Sequence, residues 1–540
     1  MNMTLFSLPF LLLMLIAYAL YYLLPRRFQW CVLLGTSAVF FYSMGGLRAC
    51  AVLAASILIS WAGAFRMGRL AGRQKSELAR TGADGAPLSR EEKKAVKEAY
   101  RKKRQRTLVF SLIICFTVLF VPKFGAFTVR NLNAAAGALH IGHALAVPDI
   151  LLPLGISFYT FQLTGYLIDV YKERTEAEGN LFRYALFASY FPQMIQGPIS
   201  KHSQLAPQLF TPHEYDETAF REGLLRLLWG YFKKMVICAN VSVLSNEIIG
   251  QFDAKGYAGF TVFTGVLLYG VQMYADFSGG IDIIMGISEL FGIRLTENFR
   301  SPYMATTISD FWQRWHISLG HWMRDYLFYP IALSKPFSRM ARRMKKRIGP
   351  YYGKIMPATI ASFVIFLLVG LWHGASWRYV AFGLYQATFT SLDSVFERTA
   401  EKTRGVLRID GASFSWRLFQ ILRTAALVTV GRYFDCAASL RTALRMLKAT
   451  FTTFNPTVFL DGSFLQMGLD PGTFRFTMLL IVFLIAVDVF NEKGLVFREL
   501  FAKQGIVFRW MVYLTAIFAV LVFGAWGPGY NAAAFIYQQI

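Results

Sequence analysis

The chain has 540 residues, of which 55% are hydrophobic and 16% charged, and its mean hydropathy is +0.41. An ordinary soluble domain spends about 25% of its residues on charge, so this composition excludes such a domain and predicts a membrane protein. The net charge of +24 would suggest nucleic acid as a partner of a soluble protein. No nucleic-acid-binding motif accompanies the charge, and we expect no such partner.

Apolar runs of about 20 residues, enough to cross a hydrocarbon core of roughly 30 Å, recur along the sequence. They do not alternate as barrel strands do, so we expect an all-α polytopic protein with about ten to twelve membrane helices. The run from Leu5 to Leu24 lacks a small-residue cleavage site and is predicted to be a retained anchor. Later spans are predicted near 29–45, 47–65, from 108 onwards, 356–372, 377–395, 475–491 and 509–526, and one or two spans over 261–293. Residues 216–250 are predicted to form an amphipathic helix that enters the membrane, and a further helical region is predicted near 412–449.

The segment from Tyr190 to Leu209 is interrupted by proline and glycine. Such a segment does not span a membrane alone, so it is predicted to form a re-entrant or interfacial turn that is buried in protein. No repeat of fixed period is visible, and we expect one domain over residues 1–540.

Two basic segments predict the orientation. Residues 66–106 contain fourteen Lys or Arg against five acids, and residues 335–354 contain eight Lys or Arg and no acid. By the positive-inside rule both are cytoplasmic loops, and both are suited to contact anionic lipid head groups.

The five cysteines form no CxxC pair and lie mostly in apolar runs. They are expected to behave as small hydrophobic residues, so neither a disulfide framework nor a metal site is predicted.

Residues 310–328, "DFWQRWHISLGHWMRDYLF", combine histidine, tryptophan and charge. Placed on one helix at about 100° per residue, they separate into two faces. The polar stripe holds Arg314, Ser318, His321 and Asp325, and the apolar face holds Trp312, Trp315, His316, Leu319, Gly320, Met323 and Leu327. His321 is therefore expected to be a surface residue, whereas His316 is either a hydrogen-bonded interior residue or a functional one.

A second histidine favours the functional interpretation. His373 lies within an apolar run, "FVIFLLVGLWHGASWRYVAFGLYQA", between a tryptophan and several small residues. An imidazole in the bilayer is costly unless it faces a polar cavity. Two such rings suit acid–base chemistry on a hydroxyl or a thioester at neutral pH.

These residues resemble a known family. "DFWQRWHISLGHWMRDYLFYP" and "GLWHGASWRYVAFGLYQA" are similar to the paired signature of the membrane-bound O-acyltransferases (MBOAT), in the bacterial branch that acts in alginate O-acetylation and teichoic-acid D-alanylation. The similarity extends in order to four more segments: "PLGISFYTFQ", "FPQMIQGPI", "YADFSGGIDIIMGISELFGIRLTENFRSPY" and the terminal "FGAWGPGYNAAAFIYQQI". Only the basic loops and residues 400–470 lack it.

The resemblance implies two catalytic residues. His373 corresponds to the family's invariant histidine and would be the general base for the acceptor hydroxyl. His316 would polarise the thioester carbonyl or hold the donor. An acyl-histidine intermediate is a second version of the same chemistry. Weaker candidates for substrate binding are Gln313, Ser318, Trp315, Trp372, Gln272, Tyr274 and Asp276.

The carboxylates of Asp276 and Asp282 have an alternative, structural interpretation. Carboxylates in an apolar run commonly face a cavity or a partner. Ion pairs with arginines such as Arg300 or Arg314 would simply hold helices together.

The family resemblance also implies an architecture and a reaction. We expect a ring of slanted helices around a thin centre, with a tunnel in which a cytoplasmic thioester donor meets an extracytoplasmic hydroxyl. No cofactor is expected to be bound, and the co-substrate would be acetyl-CoA or an acylated carrier protein. The product would be an O-acetylated cell-surface polysaccharide, made directly or through an SGNH-type transferase partner, at the bacterial cytoplasmic (inner) membrane.

Three alternatives remain open. One is D-alanyl transfer to teichoic acid from an acylated carrier protein. Another is a proton-coupled transporter or flippase that uses Asp276, Asp282 and His373 as a relay, although no internal repeat supports it. The third is a purely structural scaffold.

Overall fold

The computed structural model describes residues 5, 7–80, 87–142, 144–150, 153, 155–194 and 196–526. These residues form helices joined by turns, and no β-strand occurs among them; one isolated bridge joins Phe299 and Trp315. The prediction of an all-α protein is therefore confirmed. The terminal segment 527–540 and residues 81–86 of the first basic loop lie outside the described residues.

The helices up to residue 290 alternate between long spans and short connecting helices. They are α1 (Leu8–Leu23), α2 (Gln29–Leu78), α3 (Arg90–Ala138), α4 (Ile156–Tyr171), α5 (Leu181–Ser189), α6 (Phe191–Met194), α7 (His202–Phe210), α8 (Glu217–Tyr231), a π-helical segment (Phe232–Cys238), α9 (Ala239–Gly250), α10 (Phe252–Lys255) and α11 (Gly259–Leu290).

The remaining helices include the two that flank His316 and the one that ends at His373. They are α12 (Ile308–Arg314), α13 (Ile317–Met323), a π-helical segment (Arg324–Phe328), α14 (Tyr329–Ala332), α15 (Lys335–Ile348), α16 (Pro350–His373), α17 (Trp377–Val406), α18 (Phe414–Cys436), α19 (Leu440–Thr452), α20 (Pro471–Glu492), α21 (Phe497–Ala502) and α22 (Ile506–Phe523).

Six helical stretches of the described chain are long and apolar enough to cross a membrane, which confirms a polytopic protein. They are Arg26–Leu78, Arg90–Ala138, Glu217–Gly250, Pro350–His373, Pro471–Glu492 and Ile506–Phe523. This number is below the expected ten to twelve: α1, with 16 residues, is shorter than these stretches, and α11 carries buried polar side chains.

The chain divides into two compact units. The first comprises Met1–Phe220 with Ser288–Leu295, and the second comprises Arg221–Ile287 with Thr296–Ile540. The expectation of a single domain over residues 1–540 stays a prediction.

Sequence signals explain the helix boundaries of the first unit. Helix α3 starts with a capping box, in which the Ser89 hydroxyl accepts from the Glu92 amide at 3.2 Å and the Glu92 carboxylate accepts from the Ser89 amide at 2.8 Å. Helix α2 is interrupted at Gly46, whose φ of 67° suits glycine, and this break separates the two predicted spans. The interrupted segment 190–209 forms α6 and α7, with buried irregular backbone at 196–200.

In the second unit, α16 and α17 form a tight antiparallel hairpin that carries His373 at its turn. A Cβ on Gly370 would lie 3.1 Å from the Cα of Gly383, so the two helices approach closely only because both residues are glycine. The last residue of α16 is therefore held against the first turn of α17.

Candidate active site

His316 lies at a break between two short helices. Helix α12 ends at Arg314, α13 begins at Ile317, and His316 itself has a left-handed backbone, with φ 50° and ψ 51°. The prediction of one continuous helix over residues 310–328 is therefore wrong. The two-face assignment fails with it, since Ser318, placed on the polar stripe, is buried with 3% of its surface exposed.

Backbone hydrogen bonds to an earlier segment hold this break. The Arg300 amide donates to the Arg314 carbonyl at 3.0 Å, and the Ile317 amide donates to the Asn298 carbonyl at 3.0 Å. A left-handed residue other than glycine costs about 1–3 kcal/mol and persists only where its surroundings fix it. Such strain is concentrated at functional sites, and here it orients the side chain of His316.

The Asn298 side chain clamps the imidazole of His316. Its Oδ1 accepts hydrogen bonds from the Ser318 amide and hydroxyl, both at 2.9 Å, and lies 3.3 Å from His316 Nδ1. Since this oxygen accepts, Nδ1 carries the proton of the neutral ring. The lone pair is then on Nε2, which makes Nε2 a hydrogen-bond and proton acceptor.

Burial keeps His316 neutral. The side chain is 2% exposed, and this desolvation lowers its pKa from the ordinary 6.5 to about 3. Phe277 packs edge-on against the ring at a centroid distance of 4.9 Å. At neutral pH the ring is therefore an uncharged imidazole.

His373 is held by aromatic rings. It is the last residue of α16 and 4% exposed, stacks on Tyr379 at a centroid distance of 6.3 Å and meets Phe382 edge-on at 5.6 Å. Arg378 lies over the Tyr379 ring at 4.5 Å and donates to its hydroxyl at 3.0 Å. The orientation of His373 thus depends on the first turn of α17.

Trp372 contacts both histidines. Its ring centroid lies 5.8 Å from that of His316 and 5.0 Å from that of His373. Two residues from separate parts of the chain therefore converge on a single indole. Since His373 follows Trp372 directly in the chain, this contact brings His316 close to the end of α16.

A cavity of about 1730 Å³ opens within the second unit. Drug-sized ligands occupy roughly 300–1,000 Å³, so this space is large enough for two substrates. His316, Gln313 and Tyr274 line it, together with the exposed His321. Among the described lining residues, His373 and Trp372 do not appear, although the Trp372 ring contacts that of His316.

Two other predicted binding residues support the site from outside the lining. Trp315 is 1% exposed and packs on Phe299 at 5.0 Å, with the Arg432 guanidinium 4.6 Å from its ring. Gln272 accepts a hydrogen bond from the Ser245 hydroxyl. The function of these residues in binding stays a prediction.

The buried carboxylates of α11 form ion pairs, but with partners other than those expected. Asp276 pairs with Lys234, and Asp282 accepts from Lys233 at 2.6 Å and Arg226 at 3.0 Å. The arginine that pairs with Asp282 is thus Arg226 in place of the suggested Arg300 or Arg314, and Arg314 pairs with Asp310 and Glu492, both at 2.7 Å. Lysines that follow α8 were not considered because their positions in sequence gave no sign of burial.

Asn298 and Asp488 were not predicted from the sequence as site residues. Asn298 lies inside one of the quoted resembling segments, yet its contact with His316 depends on a backbone pairing that no periodicity announces. Asp488 is a lone carboxylate in a predicted span, and that alone was a signal.

The described chain combines membrane-crossing helices with two buried histidines beside one tryptophan. The model of the membrane-bound O-acyltransferase (MBOAT) family matches residues 177–343. A relative that is 30% identical to this chain extends the similarity over 434 residues. The chain therefore belongs to this family.

Among its relatives is the probable alginate O-acetylase AlgI of Azotobacter vinelandii, 30% identical over 434 residues, which are 80% of this chain and 74% of the relative. The protein of the same name in Pseudomonas syringae pv. tomato is 33% identical over 65% of this chain and 61% of its own length. The teichoic acid D-alanyltransferase of Bacillus subtilis is 26% identical over 56% of this chain and 72% of the relative.

Proposed function

We propose that this acyltransferase moves an acetyl group from a cytoplasmic thioester to an extracytoplasmic hydroxyl of a cell-surface polysaccharide. One observation carries the proposal: two buried imidazoles meet at Trp372, and one of them lines a cavity large enough for two substrates. The names of the relatives with the higher identities, both alginate O-acetylases, support the acetyl group.

The reaction needs one proton acceptor. A histidine takes the proton of the hydroxyl as its oxygen attacks the thioester carbonyl, the carbon–sulfur bond breaks, and the same proton then goes to the departing thiolate. The atoms balance between the hydroxyl acceptor and the thioester donor, so the proposed reaction needs no cofactor. His373 is the general base in this proposal, as the resemblance implies.

The contacts of His316 refine its function. Because Asn298 Oδ1 accepts the hydrogen bond of the Nδ1–H group, Nε2 would accept a hydrogen bond and could not donate one to a thioester carbonyl. His316 therefore holds the hydroxyl, or shares its proton with His373, in place of polarising the carbonyl. The proposed function of His316 thus differs from the expected one, while that of His373 is unchanged.

The decisive experiment measures thiol release from acetyl-CoA by the purified chain in lipid nanodiscs, with alginate oligosaccharide as acceptor. His373→Ala and His316→Ala should each lower kcat by about 10²–10⁴-fold. His140→Asn is the control, because His140 is exposed and its left-handed φ of 55° is tolerated by asparagine. Unchanged thiol release in both alanine variants would refute the proposal.

The second candidate is D-alanyl transfer, favoured by the match to a teichoic acid D-alanyltransferase. The choice of donor distinguishes D-alanyl transfer from acetyl transfer. D-alanyl and acetyl thioesters of pantetheine are therefore offered to the same preparation. A kcat/KM higher for the D-alanyl thioester would replace the acetyl proposal with this one.

The ion pairs of Asp276 and Asp282 argue against a function as a proton-coupled transporter. Carboxylates paired with Lys234, Lys233 and Arg226 are poor members of a proton relay, because the paired cation stabilises the charged form of each carboxylate. Proton-coupled flux of substrate without thioester cleavage would reverse this conclusion.

Location and partners follow from the same proposal. Six membrane-crossing candidates and the basic segments 66–106 and 335–354 support a multi-pass protein of the cytoplasmic membrane, with the basic segments inside. The acceptor would be the polysaccharide itself or an SGNH-type transferase that passes the group on. Acetylated protein recovered after incubation of the two chains without polysaccharide would identify the second route.

A further inference from the structure

A carboxylate lies in the cavity wall beside the proposed site. Asp488, on α20, is 5% exposed and lines the cavity. Its Oδ1 accepts a hydrogen bond from the Tyr274 hydroxyl at 2.9 Å, and its backbone carbonyl accepts one from the Ser301 hydroxyl at 3.1 Å. Tyr274 and Ser301 line the same cavity.

Helix α11 connects this carboxylate with His316. Tyr274, which binds Asp488, and Phe277, which packs on His316, are three residues apart on one helix. Three residues advance a helix by about 4.5 Å, less than one turn. Asp488 and His316 therefore contact neighbouring points of the same helix.

A second connection runs through the segment that precedes α12. Asn298 clamps His316, and Ser301, three residues later, binds Asp488. Ser301 has a left-handed φ of 40°, the same kind of strained backbone that is found at His316. Helix α11 and the segment 298–301 thus each contact both the Asp488 carboxylate region and His316.

The hydrogen-bond partners of Asp488 differ from those of other buried carboxylates in the second unit. Asp276, Asp282 and Asp435 each pair with a lysine or an arginine, whereas the Oδ1 of Asp488 is satisfied by a tyrosine hydroxyl. A buried carboxylate is costly, and ion pairing offsets part of that cost. Where the partner bonded to the carboxylate beside a cavity is a hydroxyl, while Lys233 acts on it only through its charge, binding a substrate offers a reason to keep the carboxylate there.

We infer that Asp488, Tyr274 and Ser301 form a subsite for a polyhydroxylated acceptor, binding a hydroxyl next to the one that reacts. A carboxylate accepts a hydrogen bond while a tyrosine or serine hydroxyl can donate or accept, which matches the paired donor and acceptor character of a sugar hydroxyl. The inference rests on the proposed transfer to a hydroxyl and adds the chemical class that the site recognises. Asp488 binds and does not take part in proton transfer.

The test separates acceptor binding from donor binding. In nanodiscs, Asp488→Asn should raise the KM for alginate oligosaccharide about tenfold or more, as expected for loss of a hydrogen bond to a charged group, and leave the KM for acetyl-CoA within about twofold. Tyr274→Phe, which removes the hydroxyl alone, should shift the same constant in the same direction by less. Asp253→Asn, at an exposed ion pair with Arg445, is the matched control.

Direct binding of the oligosaccharide, measured by equilibrium dialysis, gives a readout without turnover. Weaker binding to Asp488→Asn supports the subsite even if no thioester is cleaved, in which case only the proposed function fails. A raised KM for acetyl-CoA, or no change in either constant or in binding, overturns the subsite. Wild-type protein that cleaves acetyl-CoA yet neither binds nor acylates the oligosaccharide also overturns it.

Discussion

The two histidines are immobilised by different means. His316 is fixed by polar contacts at a strained break between helices, and Asn298 determines which of its nitrogens carries the proton. His373 ends a regular helix and is fixed by ring packing against Tyr379 and Phe382. The contact with Asn298 assigns the proton of His316, and ring packing against Tyr379 positions His373, so substitutions around the two rings should have different consequences.

The largest effect is expected where aromatic packing is removed. Tyr379→Ala leaves a cavity beside His373 and should lower the free energy of unfolding by about 3–5 kcal/mol, the range for large aromatic truncations. Tyr379→Phe keeps the ring and loses the hydroxyl that Arg378 binds, at about 1 kcal/mol. Thermal unfolding in nanodiscs measures both, and equal losses would mean that the ring itself contributes little.

The polar clamp is tested by Asn298→Leu, which keeps the size of the side chain and removes Oδ1. A misplaced imidazole should lower kcat about 100-fold while the protein still assembles. Asn298→Asp retains an oxygen for Nδ1 and should keep most of the activity. Full activity of the leucine variant would show that His316 is oriented by other contacts.

A smaller effect is expected at the α16–α17 crossing. Gly370→Ala inserts a methyl group into a close backbone approach and should cost about 1–3 kcal/mol, as overpacking does. Gly35→Ala is the control, because a Cβ there meets nothing within 4 Å and alanine favours the helix. Equal melting temperatures of the two variants would contradict the close approach.

The smallest effect concerns pH. Since the pKa of His316 is lowered to about 3 in the folded chain and is near 6.5 when unfolded, the unfolded state binds more protons as pH falls below 6.5. Wild-type protein should therefore lose about 1 kcal/mol of stability between pH 7 and 5.5 that His316→Asn does not lose. Melting temperatures of both proteins at the two pH values test this sign, which reverses if His316 is protonated in the folded state.

Composition and periodicity were sufficient for the helical membrane fold, because a continuous apolar run in lipid has few alternatives to a helix. The breaks were predicted where the sequence itself contains the cause, as at Gly46. The break at His316 was not, because its cause is the pairing of residues 298–300 with 314–317, a contact between separate segments. For the same reason His316 and His373 were predicted as residues, while Asn298 and the ion-pair partners Lys233 and Lys234 were not.

The shared indole of Trp372 makes the two histidines thermodynamically coupled. A substitution at one ring removes a neighbour of the tryptophan that also supports the other ring, so the effects of His316→Ala and His373→Ala should not add in a double-mutant cycle. The double variant should lose less than the sum of the single losses, and the deficit measures how far the pair acts as one catalytic unit.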